Sequence, residues 1–161
     1  MEWHAWTYQV QTTGNNQQHS PRKVSTEGRV IYVFFCLFLA DIRKNYQTLP
    51  DAERRYDYVT VNPKCDRALN GWYCFQGAAG TKMLTTCPRL GRCGANFAVW
   101  LSEDHPTVAE GTVTRKVSIN EFGICCQSSV YIAVKNCTSY FIYKLTDPGG
   151  WGCSVRYCGT D

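Results

Sequence analysis

Apolar and aromatic residues occur in short runs bounded by turn residues along most of this chain. Runs of four to eight residues that alternate or are continuously apolar are typical of β-strands. No ten-residue window after Cys65 carries the apolar stripe of an amphipathic helix. The pattern therefore predicts a mostly β domain of short antiparallel strands, with strands at Trp72–Phe75, Phe97–Leu101, Thr112–Ile119, Val130–Val134, Tyr140–Tyr143 and Trp151–Tyr157.

The segment from Cys65 to Cys87 organises this pattern. Gly71 and the loop Gly77–Gly80 lie on either side of the aromatic strand Trp72–Phe75, so the backbone can turn sharply at both ends. The aromatic side chains are the largest apolar groups available to a small core. We expect the fold to be built around this strand.

Two further patterns precede and follow it. Asp51–Arg55 favours a helical turn, with acidic residues at the end where the helix dipole favours them, and Tyr56 and Tyr58 are expected to be extended. Val130–Val134 and Tyr140–Tyr143 are expected to form a hairpin with Cys137 in its loop.

Residues 1–42 differ from the rest. Residues 1–28 are polar and turn-rich, which predicts disorder. The apolar run Val30–Ala40 is too short to span a membrane as a helix, which takes about 20 residues. Three interpretations remain open for it: a signal-peptide core followed by processing, an artefact of translating a pyrimidine-rich intron end, or a buried strand.

The chain contains ten cysteines in 161 residues, nine of them from Cys65 onward. There is no Cys-x-x-Cys pattern, and zinc sites usually need ligand pairs two to four residues apart. A disulfide framework is the better interpretation, and it requires an oxidising compartment. The sequence therefore predicts an extracellular protein, secreted or on the cell surface, with no metal and no cofactor.

Charge excludes one large class of partner. The net charge of +4 is divided evenly, with eight basic and six acidic residues in 1–64 and nine and seven in 65–161. Nucleic-acid binders concentrate basic residues in a patch, so we expect no nucleic-acid binding.

Few residues carry candidate chemistry. His105 is the only histidine after residue 19, and a hydrolase would need a nucleophile and an orienting group near it. We expect it to be a turn residue. Gly77–Gly80 lacks the lysine and hydroxyl of a phosphate loop. Exposed Trp100 or Trp151 could bind carbohydrate, although core packing is the expected role of these rings.

Many of these residues follow the order and spacing of a known domain. Roughly Asn45 to Cys158 resembles the uromodulin-like eight-cysteine (decoupling) domain family, found in uromodulin, the pancreatic secretory-granule membrane glycoprotein and invertebrate extracellular proteins. The resemblance implies that residues 43–161 form one such domain and that it is not catalytic. The matching motifs are Gly71-Trp72-Tyr73, Gly77–Gly80, Met83, Trp100-Leu101, His105-Pro106, Glu110-Gly111, Tyr143-x-Leu145 and the cysteines Cys87, Cys93, Cys125, Cys126, Cys137, Cys153 and Cys158.

The resemblance also implies disulfide pairs, which are Cys65–Cys153, Cys87–Cys125 and Cys93–Cys158. The family has cysteines at the positions of Ser118 and near Lys44, which would pair with Cys126 and Cys137. Both are absent here, while Cys74 is an additional cysteine. We expect a Cys74–Cys126 disulfide, and we expect Cys137 to pair with Cys36, to stay free or to link two chains.

Asn136-Cys137-Thr138 is the only N-glycosylation acceptor pattern. The family's usual acceptor positions are Ser102 and Lys144 in this chain, which puts in doubt a role in presenting glycans to microbial lectins. We expect Asn136 to be the single, partly occupied site.

These observations predict a non-catalytic structural or interaction module of a secreted or cell-surface glycoprotein, with extracellular proteins or glycan-binding proteins as partners. The alternatives are a small secreted hydrolase that uses His105 and a lectin-like binder that uses Trp100 or Trp151.

Overall fold

The computed structural model describes residues 45–149 and 153–161, together with two short strands nearer the N-terminus. The chain divides into two units, Met1–Phe38 and Leu39–Asp161. In the first unit, β1 (Trp6–Thr7) pairs antiparallel with β2 (Arg22–Lys23). The predictions for Val30–Ala40, Cys36 and Trp151 lie outside the described residues.

The second unit is mostly strand, as the sequence predicts. Its helical structure, within the described residues, is limited to 3-10 turns at Ala52–Arg54 and Gly77–Ala79. The first of these confirms the helical turn expected at Asp51–Arg55. The strands are β3 (Gln47–Leu49), β4 (Asn70–Phe75), β5 (Lys82–Met83), β6 (Phe97–Leu101), β7 (Thr112–Glu121), β8 (Ile124–Asn136), β9 (Phe141–Thr146), β10 (Val155–Tyr157) and β11 (Gly159–Thr160).

Seven of these strands form one sheet in the order β10-β6-β7-β8-β9-β4-β3. The inner pairs are antiparallel, while both outermost pairs, β10 with β6 and β3 with β4, are parallel. β5 and β11 form a separate antiparallel pair. The predicted hairpin is confirmed by pairing of Asn136 with Phe141. β7 and β8 are longer than the predicted strands Thr112–Ile119 and Val130–Val134, and they pair with each other in a hairpin.

The sheet has apolar side chains on both faces at one end. The main core contains the rings of Phe75, Tyr143 and Tyr157 together with aliphatic residues of β6 to β9. A smaller cluster on the other face consists of Leu84, Cys93, Ala98 and Cys158, with Trp100 against it. From Val117 to Glu121 every residue of β7 is therefore buried. Two-sided burial explains why strict alternation fails there.

One local prediction is wrong. Tyr56 and Asp57 form a turn and are not extended. The backbone N–H of Tyr56 donates to the carbonyl of Gly159 at 3.0 Å, and that of Tyr58 donates to the carbonyl of Arg55 at 3.0 Å. The hydrogen bond to Gly159 of β11 holds this turn in place. Because that contact is distant in sequence, no local pattern predicts the turn.

Candidate functional site

The most concentrated group of ionisable side chains in the described region is a buried charge network. Arg54, Asp66 and Arg156 are only 4%, 2% and 2% exposed. Asp66 accepts two hydrogen bonds from the Arg54 guanidinium, at 2.7 and 2.6 Å, and one from the backbone N–H of Tyr157 at 2.8 Å. Arg156 donates to Asp51 at 2.6 Å.

This network joins three distant parts of the chain. The 3-10 turn supplies Arg54, the residue after Cys65 supplies Asp66, and β10 supplies Arg156. Burial and the neighbouring Arg54 charge lower the pKa of Arg156. Bidentate, buried pairs of this kind hold the backbone in one arrangement, so we assign the network a structural role. The sequence shows the charged residues but gives no sign that they meet.

Three disulfides close the same region. Cys65 is bonded to Cys153, Cys87 to Cys125 and Cys93 to Cys158. These are the three pairs that the resemblance implied. Their partners are 88, 38 and 65 residues apart in sequence, so they link loops that no local contact would hold together.

The expected Cys74–Cys126 disulfide is wrong. Cys74 is buried in β4, where its thiol donates to the carbonyl of Phe75 at 3.2 Å, whereas Cys126 is exposed on β8. β9 lies between β4 and β8 in the sheet, which separates these strands by about 10 Å. Ser118 does lie in the same sheet as β4 and β8, but a shared sheet does not bring Cys74 and Cys126 within bridging distance.

Cys137 lies in the β8–β9 turn and is half-buried. Its backbone N–H donates to the carbonyl of Tyr140 at 2.8 Å. Cys74 lies near Cys137. Burial, and to a smaller extent the Cys137 thiol, raises the pKa of Cys74 to about 11. Cys74 is therefore a protonated thiol at neutral pH and a poor nucleophile.

His105 lies in the loop between β6 and β7, where its side chain is half-buried and packs against other residues of the domain. Its Nε2 lies 2.8 Å from the hydroxyl oxygen of Tyr143, which also accepts a hydrogen bond from the backbone N–H of Met83 at 2.9 Å. The imidazole packs on Phe141 with ring centroids 4.4 Å apart. Burial, assisted by Lys82 and opposed by Asp104, lowers the pKa of His105 to about 4.

Trp100 does not present a free ring. Its indole Nε1 donates to the carbonyl of Cys125 at 3.1 Å, and its side chain packs against the smaller apolar cluster. Trp100 thus supports the Cys87–Cys125 disulfide loop, in line with the expected packing role. The alternative of a carbohydrate platform at this residue finds no support in the geometry.

Asn136, the predicted glycan acceptor, is half-buried at the end of β8. Its Nδ2 donates to the carbonyl of Pro106 at 2.9 Å, and its Oδ1 accepts from the backbone N–H of Thr138 at 2.8 Å. The side chain therefore fastens the His105 loop to the β8–β9 turn. This contact uses the atom to which a sugar would be attached.

Neither a metal centre nor a membrane helix emerges in the described part of the chain. No group of three or more His, Cys, Asp or Glu side chains within it could hold a metal ion. No helix there is long and apolar enough to cross a membrane.

Comparison with known proteins identifies relatives for this fold. Residues 73–159 match the family whose model is described as a uromodulin-like domain. The chain is 36% identical over 116 residues to the pancreatic secretory granule membrane major glycoprotein GP2 of Canis lupus familiaris. The aligned region covers 71% of this chain and 22% of that protein.

Two other relatives match a similar share of the chain. Uromodulin of Mus musculus is 37% identical over 123 residues, covering 76% of this chain and 19% of that protein. The human GP2 glycoprotein is 31% identical over 116 residues, covering 71% and 21%. The chain thus spans about a fifth of the length of these relatives.

Proposed function

This chain belongs to the uromodulin-like domain family, and we propose that it acts as a non-catalytic structural and interaction module of a larger extracellular glycoprotein. The chain is extracellular, secreted or at the cell surface, as are the glycoproteins to which it is similar. Its three disulfides fit the oxidising conditions found there.

The observation that carries the proposal is the position of His105. The histidine is the one described side chain whose usual pKa suits acid–base catalysis near neutral pH. Its Nε2 contacts the Tyr143 hydroxyl, its ring packs on Phe141, and its pKa is lowered to about 4. An imidazole held in this way anchors a loop. A hydrolase would need it to face a substrate and a nucleophile.

The distribution of strong contacts supports a scaffold role. The N-terminal lead-in, the Cys65 region and the C-terminal strand are joined by the Arg54–Asp66 pair and by the Cys65–Cys153 disulfide. Both ends of the domain are therefore fixed to one sheet. A rigid module of this kind keeps neighbouring domains at a fixed separation and orientation, and it holds its own loops in one arrangement.

Partners of this module are extracellular proteins or glycan-binding proteins. Linkage of two chains through Cys137, expected from the sequence as one of three outcomes, stays a prediction. An exposed thiol suits a bond between chains better than a half-buried one, and Cys126 is exposed and forms no disulfide with a described residue.

Two measurements on the oxidised full chain test the proposal. The first assays hydrolysis of ester, peptide and glycoside substrates by the wild type and by His105→Phe, which keeps the aromatic packing on Phe141. We expect no turnover above buffer in either protein. Saturable turnover in the wild type that disappears in folded His105→Phe would establish the hydrolase alternative.

The second measurement tests the rigid scaffold. Trypsin should leave residues 45–161 intact in the oxidised chain and degrade them after reduction, because the disulfides hold the cleavable loops in place. Rapid cleavage throughout these residues in the oxidised chain would contradict a scaffold role.

A further inference from the structure

A pocket of about 330 Å³ opens between the Tyr56–Asp57 turn and the loop that carries the first cysteine of the Cys87–Cys125 disulfide. This volume is at the small end of the roughly 300–1,000 Å³ typical of ligand sites. It suits a ligand of one ring with its substituents. The lining residues are Tyr56, Asp57, Leu84, Thr86, Cys87, Pro88, Arg89 and Arg92.

The walls of the pocket are held in place by bonds to the body of the domain. Cys87 is covalently joined to Cys125 of β8. The carbonyl of Pro88 accepts a hydrogen bond from the Asn120 side chain at 2.6 Å. Across the pocket, Nη1 of Arg92 donates to the backbone carbonyl of Asp57 at 2.7 Å. The site is therefore formed before a ligand arrives, which reduces the ordering cost of binding.

Its charge is unbalanced toward the positive. Arg89 is exposed and Arg92 is half-buried, and neither forms an ion pair with a described residue. The hydrogen bond from Arg92 to a neutral carbonyl leaves its charge uncompensated. The one carboxylate of the lining, Asp57, lies 3.2 Å from Nε of Arg55, whose guanidinium also pairs with Asp161. The pocket thus offers two guanidinium groups to an incoming anion.

We propose that this pocket binds an acidic sugar through its carboxylate. A guanidinium presents parallel N–H groups that match a carboxylate in a bidentate geometry. Tyr56, whose side chain is 44% exposed, and Pro88 offer apolar surface to the C–H face of a sugar ring.

The remaining polar groups distinguish a sugar from a simple acid. Thr86 offers a hydroxyl and Asp57 offers carboxylate oxygens, and both accept hydrogen bonds from hydroxyl groups. An acidic peptide lacks the array of hydroxyl groups that can donate to both Thr86 and Asp57. A carboxylated polyol satisfies all of these groups. Sialic acid at the end of a glycan and a uronic acid share this chemistry.

This inference goes beyond the proposed scaffold role, which needs no ligand. Titration calorimetry on the oxidised full chain can test it with 3′-sialyllactose, methyl glucuronide, lactose and sodium sulfate as probes. We expect saturable binding of at least one carboxylated sugar and none of neutral lactose. The two carboxylated probes show which source of the carboxylate fits.

Three variants make the test specific. Arg89→Ala should weaken binding at least tenfold, because it removes one charge-assisted contact. Arg89→Lys keeps the charge but loses the forked geometry, and it should weaken binding by a smaller factor. Arg67→Ala removes an exposed arginine that does not line the pocket, and it should change affinity less than twofold.

Several outcomes would overturn the proposal. These are the absence of saturable binding of both carboxylated sugars, equal binding of lactose, displacement by sulfate at equal concentration, and equal weakening by Arg67→Ala and Arg89→Ala. Because Arg89 is exposed, its variants should melt at the wild-type temperature, which separates lost binding from lost folding.

Discussion

Arg54 and Asp66 form a bidentate ion pair inside the domain, with Nη1–Oδ2 at 2.7 Å and Nη2–Oδ1 at 2.6 Å. Both side chains are almost fully excluded from water. Oδ2 of Asp66 also accepts a hydrogen bond from the backbone N–H of Tyr157, so one acidic side chain holds the turn that carries Arg54 against β10. The domain thus depends on an electrostatic contact as well as on its disulfides.

Replacement of Asp66 by Asn should therefore be strongly destabilising. It removes the buried bidentate partner of Arg54 and leaves that charge only the half-exposed Asp51, 3.4 Å from its Nε. Loss of one member of a buried pair typically costs about 3–5 kcal/mol. Asp147→Asn is the matched control, because Asp147 is exposed and lies 3.9 Å from the exposed Arg67. It should cost less than about 1 kcal/mol. Chemical denaturation of the three oxidised proteins measures both values, and equal losses would contradict the assignment.

Gly94 should be intolerant of a side chain for a reason that Gly91 does not share. Both have positive φ, +67° and +65°, so alanine is strained at either position by about 1–2 kcal/mol. A Cβ on Gly94 would lie 2.6 Å from Nη1 of Arg156 and 3.0 Å from the carbonyl oxygen of Glu53, whereas one on Gly91 would meet nothing within 4 Å.

Gly94→Ala should consequently lower the free energy of unfolding clearly more than Gly91→Ala does. The difference between the two variants measures the combined clash of the new Cβ with Arg156 and with Glu53. Equal effects would mean that both Arg156 and Glu53 move aside without loss of stability, which would contradict the prediction.

Folding should depend on oxidation. Each disulfide contributes roughly 2–4 kcal/mol by restricting the unfolded chain, and three together rival the net stability of a small domain. Full reduction should lower the melting temperature or abolish the transition. Cys126→Ser in the oxidised protein is the control, because Cys126 is exposed and in no disulfide, and its melting temperature should equal that of the wild type. A midpoint unchanged by reductant would refute this prediction.

Stability should fall on acidification through His105. Its pKa is about 4 in the folded protein against about 6.5 unfolded, so the unfolded chain binds more protons between these values. The stability that this pKa difference contributes is fully present above about pH 6.5. It is lost as the pH falls toward 4 and amounts to at most about 3 kcal/mol.

His105→Phe keeps the ring packing on Phe141 and removes the titrating group. Unfolding free energies of both proteins between pH 7 and 4 should converge, since only the wild type loses the His105 contribution. Carboxylates titrate in both proteins and cancel in the difference. Parallel pH profiles would show that His105 is not the group responsible.

N-glycosylation at Asn136 should be partial. Its Nδ2 is engaged with the Pro106 carbonyl once the domain has folded, so folding competes with sugar transfer. An amidase that removes N-glycans should shift a fraction of the secreted protein on a gel. A complete shift would contradict the prediction.

Two variants separate the glycan from the contact. Thr138 has φ +76°, so Thr138→Gly removes the acceptor pattern, leaves Asn136 in place and relieves backbone strain. Asn136→Ala removes both the acceptor pattern and the side-chain hydrogen bonds of Asn136. It should lower the free energy of unfolding by about 1–2 kcal/mol. Unglycosylated protein allows the two to be compared directly.

The strand content and the β8–β9 hairpin could be predicted from local patterns in the sequence, and the family resemblance implied the three disulfide pairs. Apolar runs bounded by turn residues are local signals, and strands such as Phe97–Leu101 follow from them with the same bounds. The helical turn before Tyr56 is also local, since acidic residues at its start favour it.

The contacts between residues far apart in sequence could not be predicted and are seen only in the folded domain. The partner of Asp66 is Arg54, in a turn 12 residues earlier, and the partner of His105 is Tyr143, 38 residues later. Cys74 and Cys126 stay apart because β9 lies between their strands, an order that no local pattern encodes. Strand order and burial arise from the packing of the whole sheet, and they decide which polar groups must find partners inside it.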